Sequence, residues 1–184
     1  MSPNELVTKL RSSNSDERAQ AWYNAGPAGP AAIPSVVAIL EDPDLDVARS
    51  ASRALARLVA YAGRPGAESE RRSTAATLIK QLRGTRSKTV RHEVLAMLPS
   101  VGGDESVKAI AVLLTDPESR EDARTALEWL PGTAAVLALK AALKKAPPDF
   151  KPSLAASLRA RGVAVEDVPD LRLAPVKPTR VKAL

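Results

Sequence analysis

The sequence contains no cysteine, one histidine and only five aromatic residues among its 184 positions. The absence of cysteine excludes disulfide scaffolds and thiolate metal sites, and one histidine leaves out the commonest nucleophile and base constellations. No apolar run approaches the roughly 18 residues of a membrane-spanning helix, and the N-terminus lacks the regions of a signal peptide. We therefore expect a cytoplasmic protein that is not an enzyme, holds no metal or other cofactor and has no small-molecule ligand.

Alanine is the residue type present in greatest excess, with 33 positions. Alanine is the strongest helix former and lets neighbouring helices approach closely, whereas the scarce aromatic residues are those that strands prefer. The valines, isoleucines and leucines fall at helical rather than alternating spacing. The composition therefore predicts one all-α domain with alanine-rich helix contacts.

An apolar helical pattern recurs along the chain with a period close to 30 residues. Its anchor positions are Ala25, Leu55, Leu98, Leu127 and Leu158, which are separated by 30, 43, 29 and 31 residues. A fixed period of this length is typical of repeat architectures. We place the additional residues of the long interval at positions 62–70, because the glycines and proline there disfavour a regular helix.

A second helical run lies between successive anchors, and proline, glycine or Asp-Pro pairs separate the runs. The pattern predicts an N-terminal capping helix, four helical pairs and a terminal half-repeat in residues 1–162. Residues 163–184 have no helical period and contain three prolines, which predicts an extended tail that docks on the last helices or frays.

The segment 90–117 resembles a short bacterial HEAT repeat. Val90-Arg91 opens a helix, Met97-Leu98 closes it, Gly102-Gly103-Asp104 forms a turn, and Leu113-Leu114 precedes Asp116-Pro117. The stretches 122–132 and 158–163 are similar to HEAT proteins common in planctomycete-type bacteria. The resemblance implies a right-handed α-α superhelix whose second helices line a concave groove, and a role in protein binding. Lyase-type HEAT proteins leave a third possibility, a small enzyme accessory, but no residue specifically supports it.

The positive charge of the chain is concentrated in residues 64–92, which carry eight basic and two acidic side chains. These candidate binding residues are Arg64, Arg71, Arg72, Lys80, Arg83, Arg86, Lys88 and Arg91. A positive groove attracts acidic partners or phosphate, and the leading interpretation is a scaffold for a protein partner with an acidic surface. The alternatives are a solvated face, with Arg91 paired to a turn carboxylate, and a nucleic-acid interface formed by the same cluster. The absence of aromatics from residues 64–92 and the acidic excess of residues 93–150 argue against nucleic acid.

Two other features have simpler structural interpretations. His92 lies on a first helix beside charged neighbours, and we expect a surface or interhelix histidine. Residues 42–53 superficially resemble a calcium loop, but Val47 and Arg53 occupy the positions where such a loop needs glycine and glutamate. We therefore expect Asp44 or Asp42 to cap the helix that follows.

Overall fold

The computed structural model describes residues 1–84 and 87–170, and this part of the chain forms ten α-helices, four short 3₁₀ turns and no β-strand. The helices are α1 (Pro3–Leu10), α2 (Ser15–Tyr23), α3 (Ile33–Ile39), α4 (Leu45–Ala62), α5 (Glu68–Gln81), α6 (Lys88–Met97), α7 (Asp104–Val112), α8 (Arg120–Trp129), α9 (Thr133–Lys145) and α10 (Lys151–Ala160).

The helices pack in two rows. The odd-numbered helices α1, α3, α5, α7 and α9 contact one another in order and form the first row, and the even-numbered helices α2 to α10 form the second. Because successive helices alternate between the rows, each pair is a helical hairpin that stacks on its neighbours. The predicted all-α solenoid is confirmed, with α1 as the capping helix, four pairs from α2–α3 to α8–α9, and α10 as the half-repeat.

Side-chain caps mark where several helices begin. The Ser2 hydroxyl accepts a hydrogen bond from the backbone N–H of Glu5, and the Ser87 hydroxyl accepts one from Val90. The Asp44 carboxylate accepts the N–H groups of Asp46 and Val47, at 2.8 and 3.3 Å. These oxygens satisfy N–H groups that the first turn of a helix leaves without a partner. The predicted aspartate cap is confirmed, and of the two candidates it is Asp44 rather than Asp42.

One apolar core runs through the stack from Leu6 in α1 to Leu158 in α10. Alanine contributes to this core along its length, and Ala51 and Ala54 in α4 are fully buried. The repeat anchors Ala25, Leu55, Leu98, Leu127 and Leu158 are each at most 1% exposed. The helical face inferred from the repeat period is therefore the face that the core buries.

The insertion in the array differs from its predicted form. The additional length extends α4 to 18 residues and α5 to 14, whereas α6 has only 10. Only residues 63–67 between α4 and α5 are outside α-helix. The prediction of an irregular insertion over residues 62–70 therefore holds only for residues 63–67, and the rest of that segment is helical. Gly66 adopts a positive φ of 80°, which glycine tolerates because it has no Cβ. This conformation lets the chain change direction between α4 and α5 within a short connection.

The C-terminal end of the described chain turns back onto α10. The Arg159 guanidinium donates a hydrogen bond to the Val165 carbonyl at 2.6 Å and another to the Val168 carbonyl. Residues 163–170 contain no helix. Most of the predicted tail, residues 171–184, lies outside the described residues.

Candidate binding surfaces

Two arginines of the predicted basic cluster serve local structure at the α4–α5 connection. The Arg64 guanidinium lies 2.7 Å from a Glu70 carboxylate oxygen and stacks 3.8 Å above the centre of the Tyr61 ring. Arg71, in the first turn of α5, donates a hydrogen bond to the backbone carbonyl of Val101 after α6. These contacts fix the connection between adjacent repeats.

Arg91 also has an internal partner. Its guanidinium lies 2.6 Å from the Asp116 carboxylate in the loop between α7 and α8. This pairing with a turn carboxylate is the predicted alternative to a binding role for Arg91. Burial by itself would raise the pKa of Asp116. The hydrogen bond from the Glu118 backbone N–H and the positive charge of Arg91 have the larger combined effect, and the pKa of Asp116 is lowered. Arg91 therefore holds the α7–α8 loop against α6. Lys88, three residues earlier, is exposed.

The remaining described cations of the cluster lie on α5 or just beyond its end. Arg72, Lys80 and Arg83 are exposed, and Arg72 is about 16 Å along the helix axis from Arg83. Arg86 lies outside the described residues. The seven described candidates thus do not form one continuous patch, because some hold loops together while others project into solvent.

Further exposed basic side chains lie on the later helices of the first row. We define the cationic face as the exposed basic side chains Arg72 and Lys80 of α5, Arg83 just after it, Lys108 of α7, and Lys140 and Lys144 of α9. Within residues 1–84 and 87–170, none of the six forms an ion pair or a side-chain hydrogen bond. Residues 85–86 and 171–184 contain no aspartate or glutamate.

A cleft of about 550 Å³ separates α5 from α7 on this face. Arg83, Arg91 of α6, Glu105 and Lys108 line the cleft. Val112 also lines it and is 66% exposed. The cleft therefore combines two cations that the described chain leaves unpaired, Arg83 and Lys108, with one carboxylate and an accessible apolar side chain, while Arg91 is neutralised by Asp116.

Of the nine acidic residues in 93–150, four lie on second-row helices and two on the first-row helix α7. Glu93, Glu121, Asp122 and Glu128 lie on α6 and α8. Both arginines of α8 are paired: Arg120 with Asp149 at 2.6 Å, and Arg124 with the carboxylates of Glu121 and Glu128. The acidic residues that argued against a positive stripe in the linear sequence are therefore divided between the two rows and the connections, and only Asp104 and Glu105 lie on first-row helices.

A second surface, at the start of the second row, was not predicted from the sequence. It contains Trp22 and Tyr23 of α2 and the arginines of α4, which belong to different repeats. A signal was present, because Arg49, Arg53 and Arg57 recur every four residues and define one helical stripe. Without the packing of α2 on α4, nothing in the sequence places that stripe beside the aromatic pair.

Other candidate chemistry receives no support from the geometry. His92 is exposed on α6, where one ring nitrogen lies 3.1 Å from an Asp122 carboxylate oxygen. In the part of the chain that the structure describes, no group of three or more His, Asp or Glu side chains is arranged to hold a metal ion. No helix in residues 1–84 or 87–170 is long and apolar enough to cross a membrane.

Comparisons with known proteins give only structural likenesses. No family model matches the chain, and no curated protein matches it. A solved structure described as an engineered protein has 22% sequence identity and a TM-score of 0.43, and the match covers 86% of this chain and 78% of that one. A designed armadillo repeat protein has 18% identity and a TM-score of 0.45, with 87% and 82% covered. This chain is an all-α helical repeat solenoid, as its own two rows of helices show.

Proposed function

We propose that this protein is a non-enzymatic scaffold of HEAT type that binds an acidic protein surface through its cationic face. The proposal includes the boundary inferred from the sequence, with the solenoid in residues 1–162 and a tail in residues 163–184. A cytoplasmic location and a bacterial origin also remain part of the proposal.

The observation that carries the proposal is the set of six exposed basic side chains on the first row that keep their charge unpaired in the described chain, although Arg53 and Arg57 of α4 on the second row are unpaired as well. On the first row, the six members of the cationic face have no ion-pair partner among the described residues. On α8 of the second row, Arg120 and Arg124 are both neutralised by carboxylates. Cations without internal partners keep their charge available for a ligand, and they steer an oppositely charged protein into contact.

The same face offers apolar contacts that a protein partner can bury. Val112 on α7 is 66% exposed, and Leu137 on α9 is 64% exposed. Protein interfaces combine apolar contacts that exclude water with charges that determine orientation. In the HEAT-type arrangement implied by the sequence, the second helices of each pair line the concave side, and α5, α7 and α9 are those helices.

The alternative from the sequence, nucleic acid bound by the same cluster, has less support on this face. No aromatic side chain is among the exposed large apolar residues of α5, α7 or α9. Phosphate attraction alone would then hold a nucleic acid, without stacking of bases. A comparison of charge variants distinguishes the two interpretations.

The test compares two double variants that each remove two positive charges. Lys80→Gln with Arg83→Gln alters the cationic face, and Arg53→Gln with Arg57→Gln is the matched control on the second row. All four side chains lack ion pairs in the described chain, and surface substitutions usually change stability by about 0.5 kcal/mol or less. We expect both variants to retain the wild-type circular dichroism spectrum.

In affinity capture from native extract, the wild type and the control should recover the same acidic protein, and the Lys80/Arg83 variant should lose it. Titration of the purified partner should then show affinity that weakens with added salt. A Lys80/Arg83 variant that keeps every interaction would show the face to be only a solvated surface. Selective loss of salt-sensitive affinity for DNA or RNA of any sequence would instead support the nucleic-acid alternative.

A further inference from the structure

The surface where α2 packs on α4 stacks arginines against aromatic rings. The Arg53 guanidinium carbon lies 5.4 Å from the centre of the Trp22 ring. The Arg57 guanidinium lies between two rings, 5.9 Å from Trp22 and 4.9 Å from Tyr23. The two rings meet edge to face at 6.0 Å. Tyr23 is 62% exposed, so planar groups at this surface are open to a ligand.

A second stacked pair lies one turn further along α4. The Arg64 guanidinium lies 3.8 Å from the centre of the Tyr61 ring. Both stacked pairs line one cleft of about 510 Å³: Tyr23 with Arg57, and Tyr61 with Arg64. Gly26 forms part of the cleft wall, where an added Cβ would lie 2.8 Å from the Tyr61 Cβ. The glycine therefore permits the close approach that positions Tyr61 in the cleft. We define these side chains, with Trp22 and Arg53, as the stacking surface.

The stacking surface carries positive charge that is unpaired in the described structure on two arginines, Arg53 and Arg57. Arg53 and Arg57 form no ion pair with any residue in the described ranges, and no aspartate or glutamate of those ranges lines the cleft. Arg64 is paired with Glu70. Arg49, Arg53 and Arg57 lie on one stripe of α4 with an axial rise of about 6 Å between successive members, and Arg49 is paired with Asp46. The surface thus presents flat rings and a row of positive groups side by side.

We propose that the stacking surface binds single-stranded nucleic acid, with bases stacked on the exposed rings and guanidinium planes and phosphates held by Arg53 and Arg57. Aromatic side chains interleaved with arginine are the combination that single-strand binding uses, because every base has a stacking face and every nucleotide carries a phosphate. A duplex keeps its bases stacked internally and offers these rings only its backbone. The absence of carboxylates from the described lining of the cleft favours an anionic ligand, and stacking favours one that carries planar bases.

This site is separate from the cationic face. It lies on α2, α4 and the connections that follow them, whereas the cationic face lies along α5, α7 and α9. The same two double variants therefore serve both tests with opposite expectations. A protein with both sites would hold a nucleic acid on one row and a protein on the other.

The experiment uses the full-length chain carrying Trp129→Phe, which leaves Trp22 as its only tryptophan. Trp129 is 70% exposed, so its replacement should not affect folding. The probes are fluorescein-labelled 12-nucleotide single-stranded RNA and DNA of mixed sequence, the same DNA as a duplex, and a free mononucleotide. Anisotropy measures affinity for the labelled probes, and unlabelled strands report contact through Trp22 fluorescence.

We expect the single strands to bind and to quench Trp22, and the duplex and the mononucleotide to bind at least tenfold more weakly. Arg53→Gln with Arg57→Gln should lower the affinity about tenfold or more and reduce the salt slope by about 1.4, since each phosphate contact contributes about 0.7 for a single strand. Tyr23→Ala should lower the affinity about 5- to 150-fold through lost stacking while leaving the salt slope unchanged.

The control, Lys80→Gln with Arg83→Gln, should bind single strands with wild-type affinity. Equal losses in the two double variants would overturn the proposal, because attraction to net charge alone would then explain binding. Absence of single-strand binding by the wild type, or binding that neither quenches Trp22 nor depends on Tyr23, would also overturn it. Capture of an acidic protein that depends on Arg53 and Arg57, without any affinity for single strands, would replace it with a second protein interface.

Discussion

Arg161 provides the clearest structural prediction, because its side chain closes the C-terminal end of α8. The residue caps α10, and its guanidinium reaches the last carbonyls of the neighbouring helix. It donates hydrogen bonds to Glu128 at 2.9 Å, to Gly132 at 2.7 Å and to Leu130. The final carbonyls of a helix have no partner within it, and a cation there also complements the helix dipole.

Replacing Arg161 with methionine should destabilise the protein by about 2–3 kcal/mol, because net hydrogen bonds from a charged donor contribute about 1.5–3 kcal/mol. Methionine keeps much of the aliphatic volume, so loss of packing adds little. In the variant, the Gly132 carbonyl regains a hydrogen bond from water, because Gly132 is exposed. Leu130 is fully buried, so water does not offset the loss of the hydrogen bond to Leu130, and the protein remains destabilised. For a chain of this size the midpoint of thermal unfolding should fall by about 4–12 °C.

Urea and thermal unfolding followed by circular dichroism would measure this loss, with Lys140→Met as the control at an exposed lysine that has no partner in the described chain. Hydrogen exchange should show α10 losing protection before α4, because contacts in a solenoid extend only to neighbouring repeats. Equal unfolding midpoints for the two variants would refute the assignment of Arg161 as the clamp between α8 and α10.

Two further predictions test the core and one ion pair. Leu98→Ala should cost about 2–5 kcal/mol in urea unfolding, because Leu98 is fully buried, while Leu137→Ala, at a position 64% exposed, should change stability by about 0.5 kcal/mol or less. Asp116→Asn should destabilise the protein at neutral pH, and the gap from wild type should close in acid. The lowered pKa of Asp116 means that its contribution is complete above the ordinary value of 3.8 and is lost as the pH falls through the folded pKa. A gap that stays constant as the solution is acidified far below pH 3.8 would show that the charge of Asp116 is not what Arg91 recognises.

The order of the helices and their buried faces follow from local patterns in the sequence. Apolar residues at helical spacing identify the face that must leave water, and the period near 30 residues identifies which helices are equivalent. These patterns are sufficient to assign Leu98 and Leu127 to the core. The same local reasoning placed Asp44 as a helix cap, because capping involves residues only two or three positions apart.

The location of the insertion could not be predicted from local sequence patterns. Glycine and proline near position 64 indicate a break, but they do not indicate where the added length lies. The structure places it in α4 and α5, because long helices with an apolar face gain burial against their neighbours, whereas a long loop would gain none.

The candidate sites depended on contacts between residues far apart in the sequence. Eight cations close together in sequence suggested one patch, yet Arg71 reaches Val101 and Arg91 reaches Asp116, and these contacts assign them to loop structure. Trp22 and Arg57 are 35 positions apart, and only the packing of α2 on α4 brings them together. The sequence by itself determined the repeat, its register and its core, since these depend on local periodicity. Tertiary packing decided which charges are neutralised and which planar groups share a surface, because ion pairing and stacking act through space between residues that the chain keeps far apart.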